Sequence, residues 1–171
     1  MDKYNFYFND TKKKINTSIY KTFIDDAPFV IKCLDLKDNS VFYSAIREFS
    51  ILLSLNHPNI IKIKDYFIQD HFLYIVQPYI KESLYDLCKR YKKEKKQFND
   101  TQIKKILSQL IQGISYLHEN ELTHRDLKPD NILMIDDETP IIIDFGQCKK
   151  LSFNNTTHIA TCYYRPIELL G

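Results

Sequence analysis

Alternating apolar and polar positions dominate the first half of the chain. Between residues 4 and 34, aromatic or β-branched residues alternate with polar ones, most regularly over 14–22. A two-residue period is typical of strands that bury one face. Two further apolar runs, over 60–67 and 71–77, are separated by a polar turn and predict two more strands. The pattern therefore predicts a sheet of short antiparallel strands.

Helical periodicity interrupts this pattern once and later replaces it. Apolar residues between 43 and 55 recur every three or four positions, which predicts one helix carrying Glu48. A second helix is expected to begin at Leu84 and to run into the basic stretch 89–96. The clearest helix covers 101–118 and follows the capping sequence Asn-Asp-Thr. Its continuous apolar stripe consists of Ile103, Ile106, Leu107, Leu110, Ile111, Ile114 and Leu117. Strands followed by helices place the chain in the α+β class.

Composition adds few restrictions. The 171 residues suit one domain, and a hydrophobic content of 44% indicates a folded protein. A net charge of +2 gives no reason to expect nucleic acid or a membrane as a partner. The polar N-terminus does not resemble a signal peptide, and no apolar run is long enough to span a bilayer. We therefore expect a cytoplasmic or nuclear protein. Its scattered cysteines are expected to be reduced thiols: Cys33, Cys88, Cys148 and Cys162.

A short loop and the end of one strand concentrate the residues that can carry chemistry. The loop 124–131 reads His-Arg-Asp-Leu-Lys-Pro-Asp-Asn, and an apolar strand ends at Asp144, followed by Phe-Gly. Phosphoryl transfer requires cations held against phosphates, an oriented acceptor hydroxyl and neutralised charge. Asp126 can accept the hydroxyl proton, and Lys128 can reach the transferred phosphate. Asn131 and Asp144 offer the oxygen ligands that magnesium prefers. A single loop aspartate is often only a capping residue. The prediction of a magnesium and phosphate site therefore rests on the four residues together.

Together the two motifs resemble the catalytic loop and the D-F-G segment of eukaryotic protein kinases, with H-R-D-L-x-x-x-N matched in full. The similarity is closest to Ser/Thr kinases of the cyclin-dependent and MAP-kinase (CMGC) branch. It implies a bilobal α+β fold with an N-lobe (1–77) of antiparallel sheet and one helix, a hinge (78–80) and a mostly helical C-lobe (81–171) that lacks the later helices. It also implies ATP and Mg²⁺ as cofactors and a protein substrate.

The same resemblance assigns the nucleotide contacts. Lys32 would hold the α and β phosphates of ATP and pair with Glu48, although both could instead be ordinary surface charges. The carbonyl of Pro78 and the N–H of Ile80 would bind adenine, beside the polar residue Gln77 at the gatekeeper position. Three apolar side chains would line the adenine pocket: Ile19, Val30 and Leu133.

The segment after Gly146 resembles an activation loop. Thr156 lies where the cyclin-dependent branch carries its activating phosphothreonine. The resemblance implies a cationic pocket for that phosphate, formed by Arg47, Arg125 and Lys149. Lys149 stands where those relatives use arginine, which weakens bidentate phosphate binding at that point.

Two features depart from the family pattern. The chain has only 3 glycines, and the positions that match the G-x-G-x-x-G phosphate loop are Lys12, Lys14 and Thr17. Glycine lets the backbone approach phosphates without a Cβ, so we expect weakened ATP affinity and slower transfer. The chain also ends at Gly171, where kinases continue with further C-lobe helices. We therefore expect a fragment or split gene product, or another subunit that covers the apolar underside of the 101–118 helix.

The leading interpretation is a Ser/Thr protein kinase whose activating subunit would be cyclin-like. The alternative is a kinase-like pseudoenzyme or fragment that acts as a regulatory binding module, which the glycine-free phosphate loop favours. A small-molecule kinase is disfavoured because 156–168 resembles a protein-substrate segment. The basic stretch 89–96 could be a nuclear address or a docking patch, but its composition favours a solvated helix end.

Overall fold

The structure, a computed structural model, describes residues 13–16, 19–24 and 26–150. Backbone contacts divide these residues into two compact units. The first takes the residues up to Ser54 together with Lys62–Tyr79, and the second takes Leu55–Ile61 and the residues from Ile80 onwards.

Several predicted features lie outside the described residues. They include the strand pattern between 4 and 12 and the phosphate-loop positions Lys12 and Thr17. The whole segment after Lys150, with Thr156, also lies outside them.

The first unit is an antiparallel sheet with one helix packed on it. Its elements are β1 (Lys13–Asn16), β2 (Ile19–Ile24), β3 (Ala27–Asp35), α1 (Asn39–Ser54), β4 (Asp65–Gln69) and β5 (Phe72–Pro78). The strand order is β1-β2-β3-β5-β4, and all neighbours are antiparallel. Asp26 and Asp70 adopt left-handed backbone conformations in the two tight turns, with φ of 61° and 56°, which short polar side chains tolerate. The predicted sheet and helix are confirmed.

Apolar side chains occupy both faces of this sheet, because successive residues of a strand point to opposite sides. One buried cluster joins the sheet to α1 and consists of Leu34, Ala45, Leu73 and Ile75. The cluster on the opposite face consists of Ile31, Tyr74 and Val76. The central strands β3 and β5 are therefore held from both sides.

One predicted strand is shorter than its apolar run. The pattern predicts a strand over 60–67, whereas β4 begins at Asp65. Ile60 instead forms a single parallel bridge with Ile142. Residues 55–61, which the resemblance assigns to the N-lobe, therefore cluster with the second unit, because their backbone hydrogen bonds do not enter the sheet.

The second unit combines two helices with short strand pairs. Its elements are β6 (Glu82–Ser83), α2 (Leu84–Lys93), α3 (Asp100–Glu119), β7 (Leu122–Thr123), β8 (Ile132–Met134), β9 (Pro140–Ile142), β10 (Lys149–Lys150) and single 3₁₀ turns at Pro129–Asn131 and Phe145–Gln147. The strands form the sheets β6-β8-β9 and β7-β10. This is the partial, mostly helical C-lobe that the sequence predicts.

Capping boxes fix where both helices begin. The Ser83 hydroxyl accepts from the N–H of Asp86, whose carboxylate accepts from Ser83 in return. Asn99 and Gln102 make the same reciprocal pair before α3. Such caps satisfy the N–H groups that a first helical turn leaves unpaired. The predicted start of the longer helix is confirmed.

Only part of the apolar stripe on α3 is buried. Ile106 and Leu117 lie in the core, whereas Ile103, Leu107 and Ile111 are 42%, 52% and 64% exposed. These three follow one another at four-residue spacing and form a single exposed stripe. The structure thus bears out the expected apolar underside of this helix.

No helix among the described residues combines the length and hydropathy needed to cross a bilayer. The described cysteines, Cys33, Cys88 and Cys148, are reduced thiols, as expected.

Candidate active site

An ion pair joins β3 to α1 in the first unit. Nζ of Lys32 lies 2.7 Å from Oε1 and 2.6 Å from Oε2 of Glu48. Glu48 is charged but only 6% exposed, because it lies on the helix face that packs on the sheet. A lysine that donates to both oxygens compensates the buried carboxylate. The prediction that these residues form an ion pair is confirmed.

Two of the predicted adenine-pocket residues share the sheet face of Lys32. Ile19 in β2 lies directly opposite Lys32, and Val30 precedes Lys32 by two residues in β3. Directly opposed residues and residues two apart point to the same face. Leu133 lies in the second unit, in β8, and is half-buried.

The predicted hinge begins where β5 ends, at Pro78. The next N–H, of Tyr79, donates to the carbonyl of Pro28 at 3.1 Å. The ammonium of Lys21 lies 3.8 Å from the centroid of the Tyr79 ring, a cation–π contact. Ile80 begins the longer of the two segments that form the second unit. Proline lacks the N–H but keeps its carbonyl, so both groups predicted to bind adenine exist here.

The loop after β7 joins the predicted catalytic residues into one cluster. Oδ2 of Asp126 accepts from Nζ of Lys128 at 2.8 Å and from Nδ2 of Asn131 at 2.9 Å. The same amide nitrogen also donates to the backbone carbonyl of Asp126 at 2.9 Å, and Asn131 is only 6% exposed. The hydrogen bond to Asp126 raises the pKa of Lys128, which keeps the amine cationic. A carboxylate, an ammonium and an amide are therefore held together.

Asp144 follows β9, which runs beside the start of β8. The N–H of Ile143 donates to the backbone carbonyl of Asn131 at 3.0 Å, so the two segments are tied next to each other. Asp144 has a left-handed backbone with φ of 63° and ψ of 75°, and its Oδ1 lies 3.4 Å from the N–H of Gly146. Arg125 is also left-handed, with φ of 66°. Backbone strain of this kind concentrates at functional sites.

The side chains of Asn131 and Asp144 fit a magnesium ion. The amide nitrogen of Asn131 is committed to Asp126, so its oxygen is the group left to face a cation. Magnesium takes hard oxygen ligands, commonly one or two carboxylates together with substrate phosphates. Within 13–16, 19–24 and 26–150, no group of three or more His, Cys, Asp or Glu residues could hold a metal. A magnesium ion at this place would therefore also need oxygens from a nucleotide and from water.

His124 positions the backbone on both sides of this cluster. Its Nε2 lies 2.9 Å from the carbonyl of Ile143, and its Nδ1 accepts from the N–H of Asp126 at 3.3 Å. The residue is 2% exposed and contacts the edge of Phe145, with ring centroids 5.0 Å apart. Burial lowers the pKa of His124. A neutral ring with its proton on Nε2 satisfies both contacts, so His124 is a positioning residue and not a proton acceptor.

The predicted phosphothreonine pocket is described only in part. Nε of Arg125 donates to the carbonyl of Gln147 at 2.7 Å. Lys149 belongs to β10 and lies opposite Thr123. Arg47 is exposed on α1, in the first unit. Because Thr156 lies outside the described residues, the pocket stays a prediction.

Asn59 is a structural anchor that the sequence analysis missed. Its Nδ2 donates to the carbonyl of Pro140 at 2.9 Å and to Gln109 at 3.1 Å, and the residue is 3% exposed. Its own carbonyl accepts from Ile142 at 2.8 Å. A Cβ on Gly113 would lie 3.0 Å from Ile142 Cδ1 and 3.7 Å from Asn59 Cβ, so the close approach explains a glycine inside α3. The available signal was His-Pro-Asn directly after a predicted helix, a turn sequence.

Known protein sequences are similar to this chain. The family Protein kinase domain matches residues 17–171. The chain is 38% identical over 140 residues to "Cell division control protein 2 homolog 3" of Trypanosoma brucei brucei, covering 80% of this chain and 44% of that protein. It is 35% identical over 128 residues to "Cyclin-dependent kinase F-3" of Oryza sativa subsp. japonica, covering 74% of this chain and 29% of that protein. The "Serine/threonine-protein kinase MAK" of Homo sapiens is 36% identical over 127 residues, covering 73% of this chain and 20% of that protein. The chain thus spans less than half the length of these relatives.

A solved structure shows the same fold. The "yeast RNA Pol II CTD kinase CTDK-1 complex" contains a chain that matches with a TM-score of 0.81 and 29% sequence identity, covering 95% of this chain and 55% of that one. The sheet with its single helix and the helices of the second unit therefore follow a known architecture. With a family match over nearly its whole length, this chain belongs to the protein kinase family, and the relatives named above place it with the CMGC-like Ser/Thr kinases.

Proposed function

We propose that the protein carrying this chain transfers the γ-phosphoryl group of ATP to Ser or Thr hydroxyls of protein substrates. The cluster of Asp126, Lys128 and Asn131, with Asp144 tied beside it through Ile143, carries the proposal. A pure scaffold would not need a carboxylate, an ammonium and two oxygen ligands in this arrangement. The printed names of two relatives, a cyclin-dependent kinase and a serine/threonine-protein kinase, support the same activity.

Each residue of the cluster has a separate task. As the acceptor oxygen bonds to phosphorus and the bond to ADP breaks, Asp126 receives the hydroxyl proton. Lys128 places positive charge where negative charge develops on the transferred group. Asn131 and Asp144 would hold magnesium, which when bound neutralises phosphate charge. Lys128 two positions after Asp126 favours Ser or Thr over Tyr as acceptor, by resemblance to the family.

Most of the nucleotide contacts in this proposal belong to the first unit, whereas Ile80 and Leu133 belong to the second. Lys32, oriented by Glu48, would hold the α and β phosphates as a fixed cation. The carbonyl of Pro78 and the N–H of Ile80 would hydrogen-bond adenine. The apolar side chains that would contact the base are Ile19, Val30 and Leu133.

We also propose that an activating subunit, of the cyclin-like kind, binds the outer face of α1. Tyr43, Ile46 and Leu53 are 71%, 37% and 51% exposed along that helix, and an exposed apolar stripe is typical of a protein contact. Glu48 lies on the inner face, so a partner that fixes α1 also fixes the ion pair with Lys32. Replacing Tyr43 and Leu53 by aspartate should abolish stimulation by such a subunit and spare basal turnover, and unchanged stimulation would contradict this assignment.

Turnover of ATP and magnesium on a generic protein substrate tests the proposed activity. Asp126→Asn should lower kcat by about 10²–10⁴-fold, because the carboxylate that accepts the proton is lost. Asp100→Asn makes the same chemical change at an exposed position in the first turn of α3 and should leave kcat unchanged. Equal turnover in the wild type and Asp126→Asn would remove Asp126 from the mechanism and favour the regulatory binding module.

A further inference from the structure

The end of α2 and the turn after it carry a concentrated positive charge that the proposed function does not use. Residues 89–96 contain six Lys or Arg and one acidic residue, Glu94. That segment therefore carries +5, and since the whole chain carries +2, the remaining residues carry −3. We call its exposed lysines the basic turn: Lys92, Lys93, Lys95 and Lys96.

Helix-end electrostatics explain only part of this charge. Cations in a last helical turn complement the helix dipole, which accounts for Lys92 and Lys93 in α2. Lys95 and Lys96 lie beyond the helix. Lys95 adopts a left-handed backbone with φ of 55°, a conformation that glycine or asparagine reaches at lower cost. The backbone therefore gives no reason for a lysine at that position.

Buried and charged anchors hold the basic turn in place. The guanidinium of Arg90 donates to both oxygens of Glu82 at 2.9 and 3.0 Å and to Asp137 at 2.5 Å. The buried neighbour Tyr91 donates its hydroxyl to Asp137 at 2.9 Å and stacks on Phe98 with ring centroids 4.4 Å apart. A planar guanidinium that binds two carboxylates fixes the orientation of the side chain as well as balancing its charge. The lysines thus project from a fixed surface.

Backbone hydrogen bonds close the turn itself. The N–H of Lys96 donates to the carbonyl of Tyr91 at 2.9 Å, and that of Lys95 to Lys92 at 3.3 Å. Lys96 pairs with Glu94 at 2.7 Å, which raises the pKa of Lys96. In the part of the chain that the structure describes, no ion pair involves Lys92, Lys93 or Lys95. Three ammonium groups are therefore available to a partner.

The size and surroundings of this surface distinguish between classes of partner. It spans only residues 92–96, whereas nucleic acids and membranes present extended negative charge that a longer basic surface would match. The exposed ring nearest in sequence, Tyr85, carries the ammonium of Lys89 at 4.1 Å from its centroid, so a base that stacked on that face would have to displace Lys89. We infer that the basic turn docks a short acidic protein segment bearing carboxylates or phosphoserines.

Direct binding measurements test this inference without reference to catalysis. Fluorescence anisotropy with labelled octaglutamate and with a phosphoserine peptide of equal length would compare the wild type with Lys92→Glu/Lys93→Glu/Lys95→Glu. A matched control, Lys62→Glu/Lys64→Glu/Lys104→Glu, changes net charge equally at exposed lysines elsewhere. Lys92→Gln/Lys93→Gln/Lys95→Gln removes the charge without adding repulsion to the helix end, should the first variant fail to fold.

We expect at least one acidic peptide to bind in a salt-dependent manner and to lose about tenfold or more in affinity in the basic-turn variants alone. The peptide that binds more tightly identifies carboxylate or phosphate as the preferred group. Equal losses in the control variant would show unspecific attraction and overturn the inference. Tighter binding of a uridine oligonucleotide or of phosphatidylserine vesicles than of either peptide would also overturn it.

Discussion

Removing either member of the Lys32–Glu48 pair should destabilise the first unit, and by unequal amounts. The side chain of Glu48 is 8% exposed and that of Lys32 is 23% exposed. Deleting one partner of a buried ion pair costs about 3–5 kcal/mol. Lys32→Met leaves the more buried charge unpaired and should lie in that range. Glu48→Gln leaves the Lys32 ammonium, which water can reach, and an amide oxygen that can still accept a hydrogen bond from it. A loss of about 2 kcal/mol in stability is therefore expected.

The double variant distinguishes lost pairing from lost packing. Lys32→Met/Glu48→Gln leaves no unpaired charge, so its destabilisation should fall short of the sum of the single changes by about 1–3 kcal/mol. Lys105 and Glu138 provide a control, because their charged atoms are also 2.6 Å apart but their side chains are 54% and 37% exposed. The same cycle with Lys105→Met and Glu138→Gln should give a coupling of about 0–1 kcal/mol.

Urea unfolding followed by far-UV circular dichroism measures these energies, since the chain contains no tryptophan. If the losses of stability in the double-mutant cycle of Lys32 and Glu48 were additive, the idea that the pair stabilises the fold would be refuted. Equal coupling energies in both cycles would show that burial is not the reason for the difference.

Three further changes test other parts of the structure. Because burial lowers the pKa of His124, stability should fall as the pH drops below about 6.5, where the unfolded chain takes up this proton; His124→Phe should flatten that part of the unfolding profile. Asn59→Ala leaves the Pro140 carbonyl unsatisfied and should cost about 1–3 kcal/mol in urea unfolding. Tyr79→Leu loses the Lys21 contact and should cost about 0.5–1 kcal/mol, whereas Tyr79→Phe should resemble the wild type.

The periodic and local parts of the structure could be predicted from the sequence. The helix 101–118 is recognisable because its cap and its stripe agree, and Asp126 and Asn131 because a short loop brings them together. Residues 60–64 could not be assigned, because an apolar run fits a strand or a buried connection equally well. The hydrogen bonds of Asn59 to Pro140 and of Arg90 to Asp137 join positions 81 and 47 residues apart. Local sequence patterns do not predict contacts between residues so far apart in the chain.

The two units each order their own part of the proposed chemistry. Glu48 orients Lys32 inside the first unit, whereas Asn131 and Lys128 orient Asp126 inside the second. By the resemblance, the positions without glycine would contact the phosphates of ATP, whereas Lys128 and Asn131 contact the proton acceptor Asp126. The lack of glycines should therefore mainly raise the KM for ATP. The factor by which turnover depends on Asp126 should change far less. On this reasoning, loss of the glycines by itself does not make the chain a pseudoenzyme.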